Sequence, residues 1–376
     1  MKTTLRSTSW TTKIHEIGEE FARNALKHDI DGTFVQDNYL RLKELKFFSA
    51  AIPIELGGAG VAHKEMCEII KTIAYYCSST ALAFSMHQHL ISAAVWKYKY
   101  KGVGQDFLRH VAENELVLIS TGARDWLGSN GDLKKTSGGY LFSGTKHFAS
   151  QSAGGDVVVT SGTYLNKNNS WDVLHFTVPM TSNGVSILDN WNVMGMRGTG
   201  SNSILFEDVF IPDSAITLSR PKNEFHTVWN VVLTVALPLI MSAYIGIAEK
   251  AKEIAITKGK TYHRNQKHIA ILIGRLNNVL LSAQTEWKAM YYLTNGLNFT
   301  PSEAITIDML SHKTNVGENT KKTVAYAMEA IGGQSFYRSN ILERLFRDVQ
   351  ASPFHPLPKW EQYAFTGERI INSKII

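Results

Sequence analysis

Histidine is the residue type here whose placement most readily suggests chemistry. An imidazole can give or take a proton near neutral pH. His355 sits in Pro353-Phe354-His355-Pro356, where two prolines stiffen the backbone and limit how far the ring can wander. His87 and His89 lie two apart in Phe84-Ser85-Met86-His87-Gln88-His89, so on a helix they point to different faces. That spacing does not suit a metal, and no carboxylate pair stands ready to complete a coordination sphere, so no metal site is expected. Cys67 and Cys77 are the only cysteines and form no C-x-x-C pair. A reducing cytoplasm is expected, not a disulfide scaffold. The bland alternative is that a lone histidine in a helix or turn is structural.

Such residues need elements to hold them. Trp10, Ile14, Ile17, Phe21 and Ala25 recur at three- and four-residue steps and predict one helix face. Tyr39, Leu42, Leu45 and Phe48 predict another. Residues 52–60, Ile-Pro-Ile-Glu-Leu-Gly-Gly-Ala-Gly, break the pattern with a turn, and helical spacing resumes over 64–98. From residue 116 the texture changes to short β-type runs, at 116–120, 156–160 and 174–178 among others, as in a small barrel or sandwich. Helical periodicity returns near Phe225. The order predicts an α+β chain with regions at 1–115, 116–222 and 223–376. At 376 residues the chain is too long for one small core.

The net charge is +6, but lysines and arginines are scattered and no basic run tracks phosphates. No nucleic-acid partner is expected, and a mildly basic surface suits an anionic cofactor or substrate. The most apolar stretch, 228–248, carries Asn230, Pro238, Ser242 and Tyr244 and is followed at once by Glu249 and Lys250. It predicts a buried helix and no membrane span. Residues 1–12 are polar and lack the apolar stretch of a secretory signal.

The segment Met194-Gly195-Met196-Arg197-Gly198-Thr199-Gly200-Ser201-Asn202-Ser203-Ile204-Leu205-Phe206-Glu207-Asp208-Val209-Phe210-Ile211-Pro212 resembles the signature of acyl-CoA dehydrogenases. Residues 52–60 resemble that family's glycine turn, and Gly144-Thr145-Lys146-His147-Phe148-Ala149-Ser150 resembles its flavin-lining strand. Gly332-Gly333 with Leu342-Glu343-Arg344-Leu345-Phe346-Arg347-Asp348 resembles its closing block. The resemblance implies an N-terminal helical domain, a central β-barrel or sandwich and a C-terminal four-helix bundle. It also implies dimers or tetramers with a flavin between the last two domains, FAD by descent. Phe148 would supply a flat wall for the isoalloxazine and Ser150 would bond its N5 and O4 edge. Without the family, Phe148 is a strand core residue and Ser150 a polar turn residue. Gly332 and Gly333 would let backbone approach the flavin's phosphate arm; otherwise they read as a helix C-cap. Arg344 and Arg347 would hold the fold by ion pairs with Glu343 and Asp348.

Departures from the pattern matter as much. The family's base, a glutamate, corresponds to Pro356 in one branch and to Ala236 in the other, where Leu237 replaces the arginine that follows it, while Glu361 lies a little beyond Pro356. The usual R-x-x-F-G loop is absent, with Arg264 the nearest candidate, and Glu329 stands where a glutamine would donate to the pyrophosphate. FMN is therefore an alternative to FAD. His355 and His87 resemble active-site histidines of the superfamily's flavin monooxygenases. Two activities stay open. One is a dehydrogenase acting on an acyl thioester with a non-standard base and an electron-transfer flavoprotein as acceptor. The other is an oxygenase taking reduced flavin from a flavin reductase to attack a small aromatic substrate. An inactive interaction protein is a third. Apolar residues crowd Ile269, Ile271, Leu272, Ile273, Leu276, Val279, Leu280 and Leu281, which favours a homodimer or homotetramer.

Overall fold

The computed structural model describes residues 9–121, 127–261 and 266–372. Helix α1 (Trp10–Asp31) starts where the Ser9 hydroxyl accepts the Thr12 N–H, and it stops at Gly32, whose φ of 69° suits glycine. Its buried face is Ile14, Ile17, Phe21 and Ala25, the stripe its periodicity predicts. Helices α2 (Gln36–Glu44), α3 (His63–Tyr76), α4 (Ser78–Lys101) and α5 (Gln105–Asn114) follow. Between α2 and α3 the glycine turn is a matter of space. A Cβ on Gly58 would stand 2.1 Å from the Ile52 carbonyl oxygen. That motif builds the fold and does not reach the site described below.

Strands β1 (Leu118–Ser120), β2 (Asp132–Thr136), β3 (Gly139–Lys146), β4 (Val157–Leu165), β5 (Trp171–Pro179), β6 (Val185–Leu188), β7 (Ser203–Pro212) and β8 (Leu218–Pro221) come next. They join in one eight-stranded mixed sheet, ordered β6-β7-β3-β2-β4-β5-β8, with β1 parallel to β4. The sheet folds over on itself around its own core. Phe142 on β3 and Phe176 on β5 lie 5.1 Å apart although their strands are not neighbours.

The last region holds α6 (Val228–Gly259), α7 (Gln266–Thr294), α8 (Glu303–Ile331), α9 (Ile341–Val349) and α10 (Lys359–Asn372). Helix α6 is long and apolar enough to cross a membrane, but 94% of its most apolar window is buried inside the protein. It packs against α7 and α8 on one side and against α3 and α4 on the other, so the first and last regions share one core. The apolar run of α7 divides. Leu272 and Leu276 face that core and Leu280 is buried, while Ile271 and Leu281 stand exposed.

Candidate functional site

Strands β3 and β7 pair antiparallel with Lys146 opposite Ile204, which makes neighbours of two motifs far apart in sequence. Just beyond, the Ala149 N–H donates to the Asn202 carbonyl at 3.1 Å. Phe148 and Ser150 are thereby held on the wall of a cavity of about 1590 Å³ between the β-domain, α4, α6 and the turn after α9. Phe148 is 49% exposed, unusual for an aromatic ring, with Trp191 edge-on at 6.0 Å.

The hydroxyls here form a directed chain. Thr199 Oγ1 donates to the Met196 carbonyl at 2.9 Å, so its single proton is committed. Ser201 Oγ, 2.7 Å away, must donate to Thr199, and Ser150 Oγ must donate to Ser201 at 2.8 Å. Ser150 is left with acceptor capacity toward the cavity.

The far wall comes from α6 and from the turn that α9 positions. Arg347 grips Asp29 through both Nη atoms at 2.8 and 2.6 Å, Glu343 through Nε at 2.6 Å and the Met194 carbonyl at 2.7 Å. The expected ion pair with Glu343 is thus formed, whereas Asp348 makes none with either arginine. Asp348 is buried and instead accepts the Met196 N–H at 2.5 Å and the Ser78 hydroxyl. Arg344 feels Asp348 only as a charge beside it, and its Nε has no hydrogen-bond partner among the described residues.

His355 then enters the cavity wall, its backbone carbonyl held by Lys313 Nζ at 2.8 Å. Its Nε2 meets the Tyr244 hydroxyl at 2.5 Å. Tyr244 makes no other hydrogen bond among the described residues. A buried hydroxyl needs an acceptor, so it donates to Nε2 and leaves the ring proton on Nδ1. Burial, with the Lys313 charge second, lowers His355 to about 3. The ring is a neutral hydrogen-bonding group, not one that titrates near neutrality as its type suggests.

His87 does not line the cavity. Its Nε2 donates to the Phe48 carbonyl at 2.8 Å and its Nδ1 accepts the Leu118 N–H at 3.0 Å, so both nitrogens are spent on backbone. The catalytic role expected of it gives way to a structural one, joining α4 to β1. The buried His89 is the one that lines the cavity. Ala236 and Leu237 do so too, as does Pro356, while Glu361 is an exposed residue on its lining.

The residues expected at the phosphate arm are not brought to this cavity. Glu329 is exposed, 3.9 Å from Arg275. Gly332 and Gly333 are exposed, and no atom lies within 4 Å of where a Cβ would sit on either. Arg264 lies outside the described residues. Trp191, Tyr244 and Lys97 belong to the site or its hydrogen bonds and carried no motif that sequence reading could use.

Buried histidines give the fold an acid limit. Burial is the first cause lowering His63 and His89 to about 4, and His87, His175 and His355 to about 3. Unfolded, each returns to about 6.5. Their neutral forms therefore favour the fold fully above about pH 6.5, and that contribution is lost as pH falls toward 3. Urea unfolding at pH 5.5 is expected to give a stability below that at pH 7.5 by about 1 kcal/mol for each of these histidines, several kcal/mol together. An unchanged midpoint would refute the assignment.

Comparison with known proteins agrees with this geometry. Residues 14–115 match the acyl-CoA dehydrogenase N-terminal domain. A putative acyl-CoA dehydrogenase of Bacillus subtilis, YdbM, is 24% identical over 367 residues, covering 92% of each chain. The structure of a nitrososynthase from Micromonospora carbonacea var. africana superposes with a TM-score of 0.87 at 21% identity, over 97% of this chain and 98% of that one. FMN-bound TdsC, a dibenzothiophene monooxygenase from Paenibacillus sp. A11-2, gives 0.84 at 17% identity, over 97% and 98%. Residues 14–115 thus match the N-terminal domain of acyl-CoA dehydrogenases, and the described chain has the fold of these proteins. Its relatives are enzymes of that fold, among them a putative acyl-CoA dehydrogenase, an amino sugar nitrososynthase of Streptomyces peucetius and a dibenzothiophene monooxygenase.

Proposed function

We propose that this protein is a flavin-dependent monooxygenase that receives reduced flavin from a separate reductase and acts on a small organic substrate. The observation that carries the reading is the wall made by α6 and the turn after α9. Desaturating an acyl thioester requires a group to take the α-proton, with a pKa suited to the task. Ala236, Leu237 and Pro356 offer none, and His355 at about 3 is too weak a base. Glu361 is exposed to solvent.

The residues present fit a flavin ring. Phe148 offers an aromatic face, and Ser150 can accept the N5–H that only the reduced ring carries. A bound reduced flavin supplies the electrons that activate oxygen. His355, oriented by Tyr244, keeps its Nδ1 proton for donation into the cavity. The volume of about 1590 Å³ exceeds the roughly 300–1,000 Å³ of an ordinary ligand pocket, so a ring and a second molecule fit together. Glu329, Gly332, Gly333 and the 83%-exposed Phe336 share an open surface, suited to meeting a second copy of the chain.

The test begins with protein loaded with FMN or FAD, expected to sediment as a dimer or larger. Under anaerobic conditions butyryl-CoA should not bleach the oxidised flavin. His355→Ala should leave flavin affinity within about twofold. It should change the rate at which air reoxidises bound reduced flavin by about 100-fold, the low end of the scale for losing one preorganised hydrogen-bond donor. Bleaching by butyryl-CoA without a reductase would establish the dehydrogenase instead.

A further inference from the structure

One corner of the cavity is charged in a way the flavin does not explain. Helix α4 faces the cavity with His89, Ala93 and Lys97, so Lys97 lies two turns beyond His89, about 12 Å along the axis. Its ammonium is half-buried and makes no hydrogen bond or ion pair with any described residue. Burial alone acts on it, lowering its pKa. The buried Arg220 gives its donors to His175 Nε2 at 3.0 Å, to the Leu127 carbonyl at 2.5 Å and to the Gly128 carbonyl at 3.0 Å. The buried Lys146 donates to Ser129 Oγ at 3.1 Å. After burial, the charges of Arg220 and Lys97 are the next causes lowering His175, so Lys97 is felt inside the cavity. Among the described residues that line the cavity, Glu361 is the only carboxylate, and it is exposed. A half-buried charge without a counter-ion is costly, and a ligand that supplies the counter-ion recovers that cost on binding.

We propose that Lys97 pairs with an acidic group on the substrate, a carboxylate, sulfonate or phosphate, whose apolar or aromatic body lies against Leu90, Ala93, Ala94, Phe107, Trp229 and Val232. The inference rests on the monooxygenase reading for what happens next to that substrate, but its binding step is independent of flavin. The same charge could meet the phosphate of FMN, and the two sources are separable by experiment.

Calorimetric titration of the full chain with phenylbutyrate and with its neutral amide tests the proposal. The acid should bind about tenfold or more tightly than the amide, the scale of one partly desolvated charge pair. Lys97→Met, which keeps an unbranched apolar stem, should erase the preference, and Lys97→Arg should retain most of it. Neither variant should lower the melting temperature, since Lys97→Met removes an unpaired charge. FMN and riboflavin should lose nothing to Lys97→Met. Equal binding of acid and amide, no binding of either at millimolar concentration, or a preference that survives Lys97→Met would overturn the proposal. So would a Lys97→Met loss confined to FMN, which would place the flavin phosphate there. If neither flavin binds while the acid preference holds, the flavin reading fails and the anion site stands.

Discussion

Asp348→Ala is expected to lower the unfolding free energy by about 4 kcal/mol, read as a fall in the urea midpoint at constant slope. The carboxylate is buried at the junction of three elements. One oxygen accepts the Met196 N–H at 2.5 Å, and the other accepts the hydroxyl of Ser78 at the start of α4. Burial raises its pKa, and these two donors pull it back down. Removing the acceptor leaves a buried N–H and a buried hydroxyl unpaired, each at about 1–3 kcal/mol. The nearby Arg344 also loses its compensating charge. Asp348→Asn keeps one acceptor and should cost about half as much. The change would be felt in the site, because Met196 receives the end of the hydroxyl chain that starts at Ser150. A loss under about 1 kcal/mol for alanine would show that this tie does not fix the loop.

Gly246→Val is expected to cost about 3 kcal/mol or to prevent folding, which expression yield and thermal melting would show. Glycine is required here by approach, not by backbone angle. A Cβ at this point of α6 would stand 2.2 Å from the Lys71 carbonyl oxygen and 2.7 Å from the Ala74 Cβ on α3. The oxygen belongs to the backbone and cannot swing aside, so the two helices must separate. Because α6 also carries Ala236, Leu237 and Tyr244, the cavity wall would shift with it. The control is Gly274→Ala on α7, where nothing lies within 4 Å of the new Cβ. There alanine should stabilise by up to about 1 kcal/mol through helix propensity. A valine at 246 that is tolerated like alanine at 274 would mean that α3 and α6 pack less tightly than this.

Periodicity told the truth where an element has one wet face and one dry one. The α1 stripe is of that kind, and so is the alternation that marks the strands. It failed on α4, which is buried on nearly every side from Ser78 to Ser92. With no contrast between faces, nothing in the spacing could say that His89 and not His87 meets the cavity. Phe148 and Ser150 were legible because a motif marks them, and pairing of β3 with β7 explains why that motif exists. Glu343 was legible as a partner of Arg347, four residues back on the same helix, but Asp29 was not. Asp29 lies at the opposite end of the chain, whereas Asp348 is the adjacent residue. Lys97 was invisible for a different reason. A lysine near the end of a helix is normally a solvated one, and only the tertiary fold takes the solvent away.

The sharing of α6 between the first and last helical regions has a consequence for how the chain is made. Ile69, Ile70 and Ile73 of α3 find their packing against a helix that begins only at Val228, with the entire sheet between them in sequence. On the ribosome the early helices therefore emerge long before the surface that will cover them, while the sheet closes around Phe142 and Phe176 without waiting for either. The β-domain is the part of this protein able to finish first. The helical body around it is a single unit that completes itself last, and its exposed isoleucines are what a chaperone would meet in the interval.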